Sequence, residues 1–206
     1  MIVLLAAALP VFAETGTHAA GSEDIEEVVV TASPPERGKP PTLEFLTEVY
    51  DNRRTGSQLY RRGEHAESFP HLLAAARRGF KMAQARVSFL YQQGLGTPRD
   101  AMAAVAFLGV AAKPPTLPEI SMRFNEVWDR VPVALKPGLE QLIDEYDARY
   151  GARVNRVSCD LSHSAGTFFR KLTCRFTDEC SLYGRMGLTP ELRTCPGYVF
   201  ERLSDN

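Results

Sequence analysis

Apolar residues recur at steps of three and four from Thr42 onwards, which is the spacing of one helix face. Gly63, Gly79 and Gly151 follow such stretches and are typical of helix ends, while Asp100 is placed to cap the start of another helix. The pattern predicts six helices: 42–62, one that begins at or just before Phe69 and ends before Gly79, 83–93, 100–112, 118–130 and 137–150.

The first residues have a different pattern. Ile2–Phe12 is apolar apart from Pro10, and Val11 and Ala13 stand at the two positions that a signal peptidase inspects. We therefore predict that residues 1–13 are a signal peptide of an exported, periplasmic or secreted protein. No Lys or Arg precedes the apolar stretch, which a start codon assigned too late would explain. The alternative is a buried N-terminal helix.

Residues 14–41 are poor in large apolar side chains and rich in Gly, Ser, Thr, Pro and Glu. Such a segment buries too little surface to offset the entropy of ordering it, so it is predicted to be a disordered leader. Within the leader, residues 25–33 include three consecutive valines, which favour an extended strand.

That strand segment reads Glu26-Glu27-Val28-Val29-Val30-Thr31-Ala32 and resembles the TonB box of outer-membrane TonB-dependent receptors. The resemblance implies that this segment adds a strand to the C-terminal domain of TonB, a mode in which backbone hydrogen bonds supply the affinity. The chain is far too short to contain the barrel of such a receptor. A TonB-interacting periplasmic protein is therefore one alternative function.

After Gly151 the pattern changes to short runs of β type, 153–159 and 167–176, in a region (152–206) that we expect to be a separate C-terminal module. All four cysteines lie there: Cys159, Cys174, Cys180 and Cys195. In an exported chain they indicate disulfides, and the lack of a Cys-x-x-Cys pair disfavours a zinc site. Three connectivities are open. We favour Cys159–Cys174, across a hairpin that turns near Gly166, together with Cys180–Cys195.

Composition adds few constraints. The chain has 206 residues and a formal charge of −1, with no overall excess that would indicate nucleic acid. Charge is uneven, however, because residues 53–86 contain eight basic and two acidic side chains. Arg61, Arg62, Arg77 and Arg78 are the candidates for contact with an acidic partner or an anionic cell-wall polymer. The alternative is the ordinary placement of arginine near helix C-termini.

The segment 83–113 combines small residues, an aromatic pair, two loop glycines and a capping aspartate: Ala83, Tyr91, Gly94, Gly96, Asp100, Ala104, Phe107, Ala111 and Ala112. With these residues it resembles the SEL-one-like repeat, a relative of the tetratricopeptide repeat in which two antiparallel helices stack into a superhelix. In that family small residues let the helices approach closely, glycines turn the loop, and an aspartate caps the second helix. Val87-Ser88 replaces the family's usual Leu-Gly pair, and Phe107 its usual tryptophan.

Residues 42–82 read as a degenerate copy with a shorter loop, and residues 114–151 as a helical cap. The predicted fold is therefore mainly α: a short solenoid of antiparallel helical hairpins with a small, disulfide-stapled β and loop module. The alternative is an unrelated alanine-rich bundle. The resemblance implies a non-enzymatic adaptor of the Gram-negative cell envelope that binds protein partners through its helical surface.

No pattern of catalytic residues is found. The sequence has no Gly-x-Ser-x-Gly elbow, phosphate loop or His-Glu-x-x-His helix, and His65, His71 and His163 are well separated. Cysteine-rich secreted proteins with similar repeats suggest a cell-wall or β-lactam-directed hydrolase as a further alternative. Their cysteines staple each repeat, whereas residues 42–113 contain none. We predict no catalytic residue, metal or cofactor.

Overall fold

The fold is described from a computed structural model, in which residues 41–163, 169–177 and 179 are placed. These residues form six α-helices and one two-stranded antiparallel sheet. The helices are α1 (Leu43–Arg62), α2 (His65–Ala76), α3 (Lys81–Gln93), α4 (Ala101–Ala112), α5 (Pro118–Asp129) and α6 (Lys136–Tyr150), and the strands are β1 (Val157–His163) and β2 (Arg170–Phe176). A mainly helical chain with a small β region is confirmed. A repeat solenoid stays a prediction.

Consecutive helices from α1 to α4 pack side by side. The pair α1 and α2 is antiparallel, because Tyr60 near the end of α1 faces His65 at the start of α2, and Gly56 lies against Leu72 further along. Gly56 makes this approach possible, since a Cβ there would lie 2.9 Å from the Leu72 side chain. In the second pair, the hydroxyl of Ser88 on α3 donates to the carbonyl of Ala104 on α4 at 2.7 Å.

The predicted helix ends agree with the structure at several points. Gly63 is left-handed and closes α1, with its own N–H bonded to Tyr60 and that of Glu64 bonded to Leu59, the two bonds of a Schellman motif. The Asp100 side chain accepts a hydrogen bond from the Ala103 N–H at 2.9 Å and caps α4 as expected.

The predicted start of α2 is wrong by four residues. Because the Schellman turn at Gly63 leads directly into the next helix, α2 begins at His65 and takes Pro70 into its second turn. Proline there removes the single hydrogen bond to the carbonyl four residues earlier, and the buried Phe69, Leu72 and Leu73 on this helix offset that loss.

The predicted first strand also begins too early. Residues 152–156 form turns rather than strand, and the N–H of Val157 bonds back to the carbonyl of Ala152 at 2.7 Å. The strands pair from Val157 opposite Phe176 to His163 opposite Arg170, which places Cys159 opposite Cys174. The Cys159–Cys174 disulfide is formed as predicted. Gly166 and the pair Cys180–Cys195 lie outside the described residues.

The β-hairpin shares its core with the helices. Phe176 lies among the rings of Phe45, Tyr50 and Phe80, with centroid distances of 5.6 to 5.9 Å. Val157 and both disulfide cysteines belong to the same buried cluster as α1, α2 and α3. The hairpin and the helices therefore share one hydrophobic core.

Helix α4 packs on α3 and also contacts both α5 and α6. Gly109 of α4 allows the contact with α6, since a Cβ there would lie 2.6 Å from the side chain of Ile143. Among the described helices, none combines the length and the apolar character that crossing a bilayer requires.

Three glycine-to-alanine variants test these contacts. Gly138→Ala, in α6 with open space around it, should stabilise the protein by about 0.5–1 kcal/mol through helix propensity. Gly63→Ala should cost about 1–2 kcal/mol from left-handed backbone strain alone, because nothing lies near its Cβ. Gly96→Ala should cost about 3 kcal/mol or more, because its Cβ would also lie 2.5 Å from the Ala66 Cα.

Urea unfolding of the three variants measures these differences. Equal losses for Gly63→Ala and Gly96→Ala would contradict the close contact between the α3–α4 loop and the start of α2.

Candidate functional site

The clearest candidate site is an open groove of about 570 Å³ between α1, α3 and β2, which we call the cationic groove. Its floor includes the apolar side chains of Met82, Ala83 and Leu172. Five basic side chains and one acidic side chain line it: Arg53, Arg54, Arg61, Arg86, Lys171 and Asp51. Residues from three separate parts of the chain thus converge on one positively charged surface.

Arg53 joins the groove to the hairpin. Its guanidinium lies over the rings of Tyr50 and Phe80, at 4.8 and 4.9 Å from their centroids, and Nη1 donates to the carbonyl of Cys174 at 3.0 Å. Burial lowers the pKa of Arg53 from its usual value, but an arginine remains charged over the physiological range. Arg53 is therefore a fixed positive charge that also holds β2 in place.

Tyr50 makes the second attachment of the hairpin. Its hydroxyl donates to Glu179 Oε2 at 2.5 Å and accepts from the N–H of Phe176 at 3.3 Å. Burial, followed by the hydrogen bond to the Glu179 carboxylate, raises the Tyr50 pKa well above its usual value. The phenol therefore stays neutral and can serve as donor and acceptor at once.

The other charges differ in how far they are already neutralised. Arg86 donates to the Ser57 hydroxyl at 2.6 Å and lies over the Tyr60 ring, whereas Arg54 pairs with Asp51 at 2.9 Å. Arg61 and Lys171 have no hydrogen-bonded or ionic partner among the residues that the structure describes. The groove therefore carries uncompensated positive charge.

One wall of the groove is the outer edge of strand β2. Cys159 and Cys174 face each other with a Cα–Cα distance of 4.0 Å, which is typical of the antiparallel pairs that do not exchange backbone hydrogen bonds. The backbone groups of Cys174 therefore point away from β1, and the bond from Arg53 to its carbonyl agrees with this. Leu172, two residues earlier and opposite Leu161, presents its N–H and C=O to the same side.

The structure distributes the predicted partner-binding arginines over several places. Arg61 lines the cationic groove, whereas the adjacent Arg62 is exposed and lies 3.8 Å from Glu64. Arg78 lies over the Phe45 ring, and Arg77 follows the last turn of α2. Glu27, Val28, Val29, Val30 and Thr31 lie outside the described residues, so contact with TonB stays a prediction.

The residues that carry the repeat resemblance lie where the two helices and their loop meet. Ala83, Ala104, Phe107 and Ala111 are buried, and the Tyr91 and Phe107 rings stack at 6.2 Å. Gly94 and Gly96 are left-handed in the α3–α4 loop, and Ala112 ends α4. These positions organise the hairpin and stand apart from the cationic groove, with the exception of Ala83.

Tyr50 and Lys171 are groove residues that the sequence pattern did not single out. Nothing local to β2 indicates that it packs on α1, which is far away in the chain. The sequence signal for this packing was that Cys174 and Phe176, two residues apart, lie on one face of β2. Such an apolar face requires another surface to cover it.

Several serine and histidine side chains, which are of types that can act in catalysis, make structural contacts instead. The hydroxyls of Ser68 and Ser88 donate to the backbone carbonyls of His65 and Ala104. His71 Nδ1 lies 2.7 Å from Asn52 Oδ1, and burial lowers the His71 pKa. Within the described ranges, no three His, Cys, Asp or Glu side chains converge as a metal site would require.

The chain matches no model of a known protein family. It matches no curated protein either. The resemblance to SEL-one-like repeats therefore stays an expectation drawn from the residues.

A second cavity, of about 470 Å³, contains a buried lysine. Lys81 is 4% exposed, and its Nζ donates to the carbonyl of Lys113, the residue that follows the last turn of α4. Burial lowers the pKa of Lys81 to about 8, and the nearby Asp147 carboxylate acts in the opposite direction. This lysine ties the end of α4 to the start of α3.

The lowered pKa of Lys81 predicts a pH dependence of stability. Between about pH 8 and its usual 10.5, the unfolded chain holds a proton on Lys81 that the native protein has lost. Stability therefore rises with pH in this window, by about 1–2 kcal/mol from pH 7.5 to 9.5. Urea unfolding should show this rise in the wild type and lose it in Lys81→Met. Lys136→Met is the control and should keep the rise, and an unchanged rise in Lys81→Met would contradict the prediction.

Proposed function

We propose that this protein is a non-enzymatic interaction module of the bacterial cell envelope, which binds an acidic segment of a partner protein in the cationic groove. The observation that carries the proposal is the set of five basic side chains around the groove, two of which have no hydrogen-bonded or ionic partner among the described residues. An anionic segment would supply the missing counter-charges and would be steered to the groove by its field.

The shape of the groove supports a peptide as the ligand. On the apolar floor, the half-buried Met82 and Leu172 offer surface for side chains, while the guanidinium groups stand around it. An apolar surface with a few placed polar groups is typical of binding sites. The edge of β2 adds backbone donors and acceptors that an extended chain can satisfy.

Location in the envelope is supported by two independent features. The Cys159–Cys174 disulfide is of a kind that persists in oxidising compartments such as the periplasm. The predicted signal peptide at residues 1–13 leads to the same compartment. The resemblance of residues 83–113 to an interaction repeat supports binding as the class of function.

Photo-crosslinking in the native envelope tests this proposal. A photoreactive amino acid at Gln58, an exposed position in the groove, should form an adduct of discrete mass with the partner. The same label at Met122, exposed on α5 outside the groove, should not form that adduct. Arg61→Glu should reduce the Gln58 adduct about tenfold, because it replaces an attractive charge by a repulsive one.

Arg62→Glu is the matched control, since Arg62 is adjacent in sequence but does not line the groove. It should leave the adduct within about twofold of wild type, as expected for an exposed charge outside the contact. An adduct that is insensitive to Arg61→Glu, or equally sensitive to both substitutions, would overturn the proposal.

A further inference from the structure

We propose that residues 23–31 of this same chain occupy the cationic groove by adding a strand to the outer edge of β2. This inference rests on the proposed function, in that it names a ligand for the same groove. It concerns regulation, because a leader that occupies the groove competes with any external acidic segment.

The outer edge of β2 is satisfied at one end and open at the other. At one end the edge is closed, because Arg53 bonds to the Cys174 carbonyl and Tyr50 to the Phe176 N–H. At the other end, the N–H and C=O of Leu172 point outward over the groove, as the register with Leu161 requires. Neither group has a partner among the described residues. Two or three residues of an added strand would satisfy this open stretch.

The leader segment matches the groove in charge and in strand propensity. Residues 23–27 contain four acids, Glu23, Asp24, Glu26 and Glu27, and three valines follow at once. The groove presents the complementary pattern, with basic side chains around an apolar floor. Valine favours the extended conformation, and alternate side chains of a strand face opposite sides, so valines can cover the floor while acids reach the arginines.

The linker between the leader segment and α1 has the length and direction that docking on β2 requires. Ten residues, 32–41, connect the segment to the start of α1, and four of them are proline, which keeps such a linker extended at about 3.1 Å per residue. An extended linker of ten residues reaches about 30 Å, whereas α1 from Leu43 to Arg61 is about 27 Å long. Since β2 runs opposite to α1, with Phe176 near Phe45 and Cys174 near Arg53, the added segment would run parallel to β2.

Amide hydrogen exchange in the full chain tests this inference. The Leu172 N–H should exchange at least about tenfold more slowly in the wild type than in Val29→Pro, because proline breaks the added strand. Glu26→Lys combined with Glu27→Lys should accelerate exchange in the same way. Thr173, whose N–H points towards β1, is the internal control and should be unaffected. Ala19→Pro, in the leader but outside the segment, is the control variant and should behave as wild type.

Equal exchange of Leu172 in wild type and Val29→Pro would overturn the inference, whatever the crosslinking shows. The Gln58 adduct separates the two proposals. If the leader occupies the groove, Val29→Pro should increase the adduct by about threefold or more, since a competing intramolecular ligand is removed. An adduct that depends on Arg61, with no effect of Val29→Pro on exchange, would keep the proposed function and exclude the docked leader.

Discussion

The burial of Phe176 against α1 and α3 is the contact on which the groove depends. The ring packs on three aromatic neighbours, each such pair contributing about 0.5–1.5 kcal/mol beyond the burial of area. The disulfide between β1 and β2 closes a loop for which loop-closure entropy predicts about 3 kcal/mol. Together these contacts hold β2 at a fixed distance from the helices. Without them the arginines of α1 and α3 would line an open helical surface with no strand beside it.

The same contacts explain how several arginines can share one surface. Arg53 and Arg86 are held by aromatic rings and by a carbonyl or hydroxyl, so their positions do not depend on an acidic partner. Among the described residues, no acidic side chain neutralises these two guanidinium groups through a hydrogen bond. Burial lowers the pKa of Arg86, and the positive charge of the nearby Arg61 lowers it further. Repulsion of this kind costs stability in the free protein. An anionic segment in the groove relieves it, which links binding to stability.

Local physics made much of the helical fold predictable. Side-chain periodicity indicated the helices, the glycines at 63 and 151 marked the ends of α1 and α6, and Asp100 capped α4 as expected. The disulfide between Cys159 and Cys174 followed from the hairpin. The start of α2 was missed because a tight Schellman turn overrode the preference of proline for a first turn. The groove was only partly predictable: the local excess of arginine indicated a basic surface, but the presence of Lys171 and Arg61 around the same groove depends on tertiary packing.

The central claim is that the acidic segment of this chain's own leader binds between α1, α3 and β2. Its most direct test is an NMR titration in which a synthetic peptide of residues 22–33 is added to the nitrogen-15-labelled full chain. The chain carries Val29→Pro, so that its own leader does not compete with the peptide. The account predicts that shifted amides cluster at residues 53–61, 82–86 and 171–174, and that the shifts weaken as salt screens the charges. Shifts confined to α5 and α6, or no saturable shift at low salt, would contradict it.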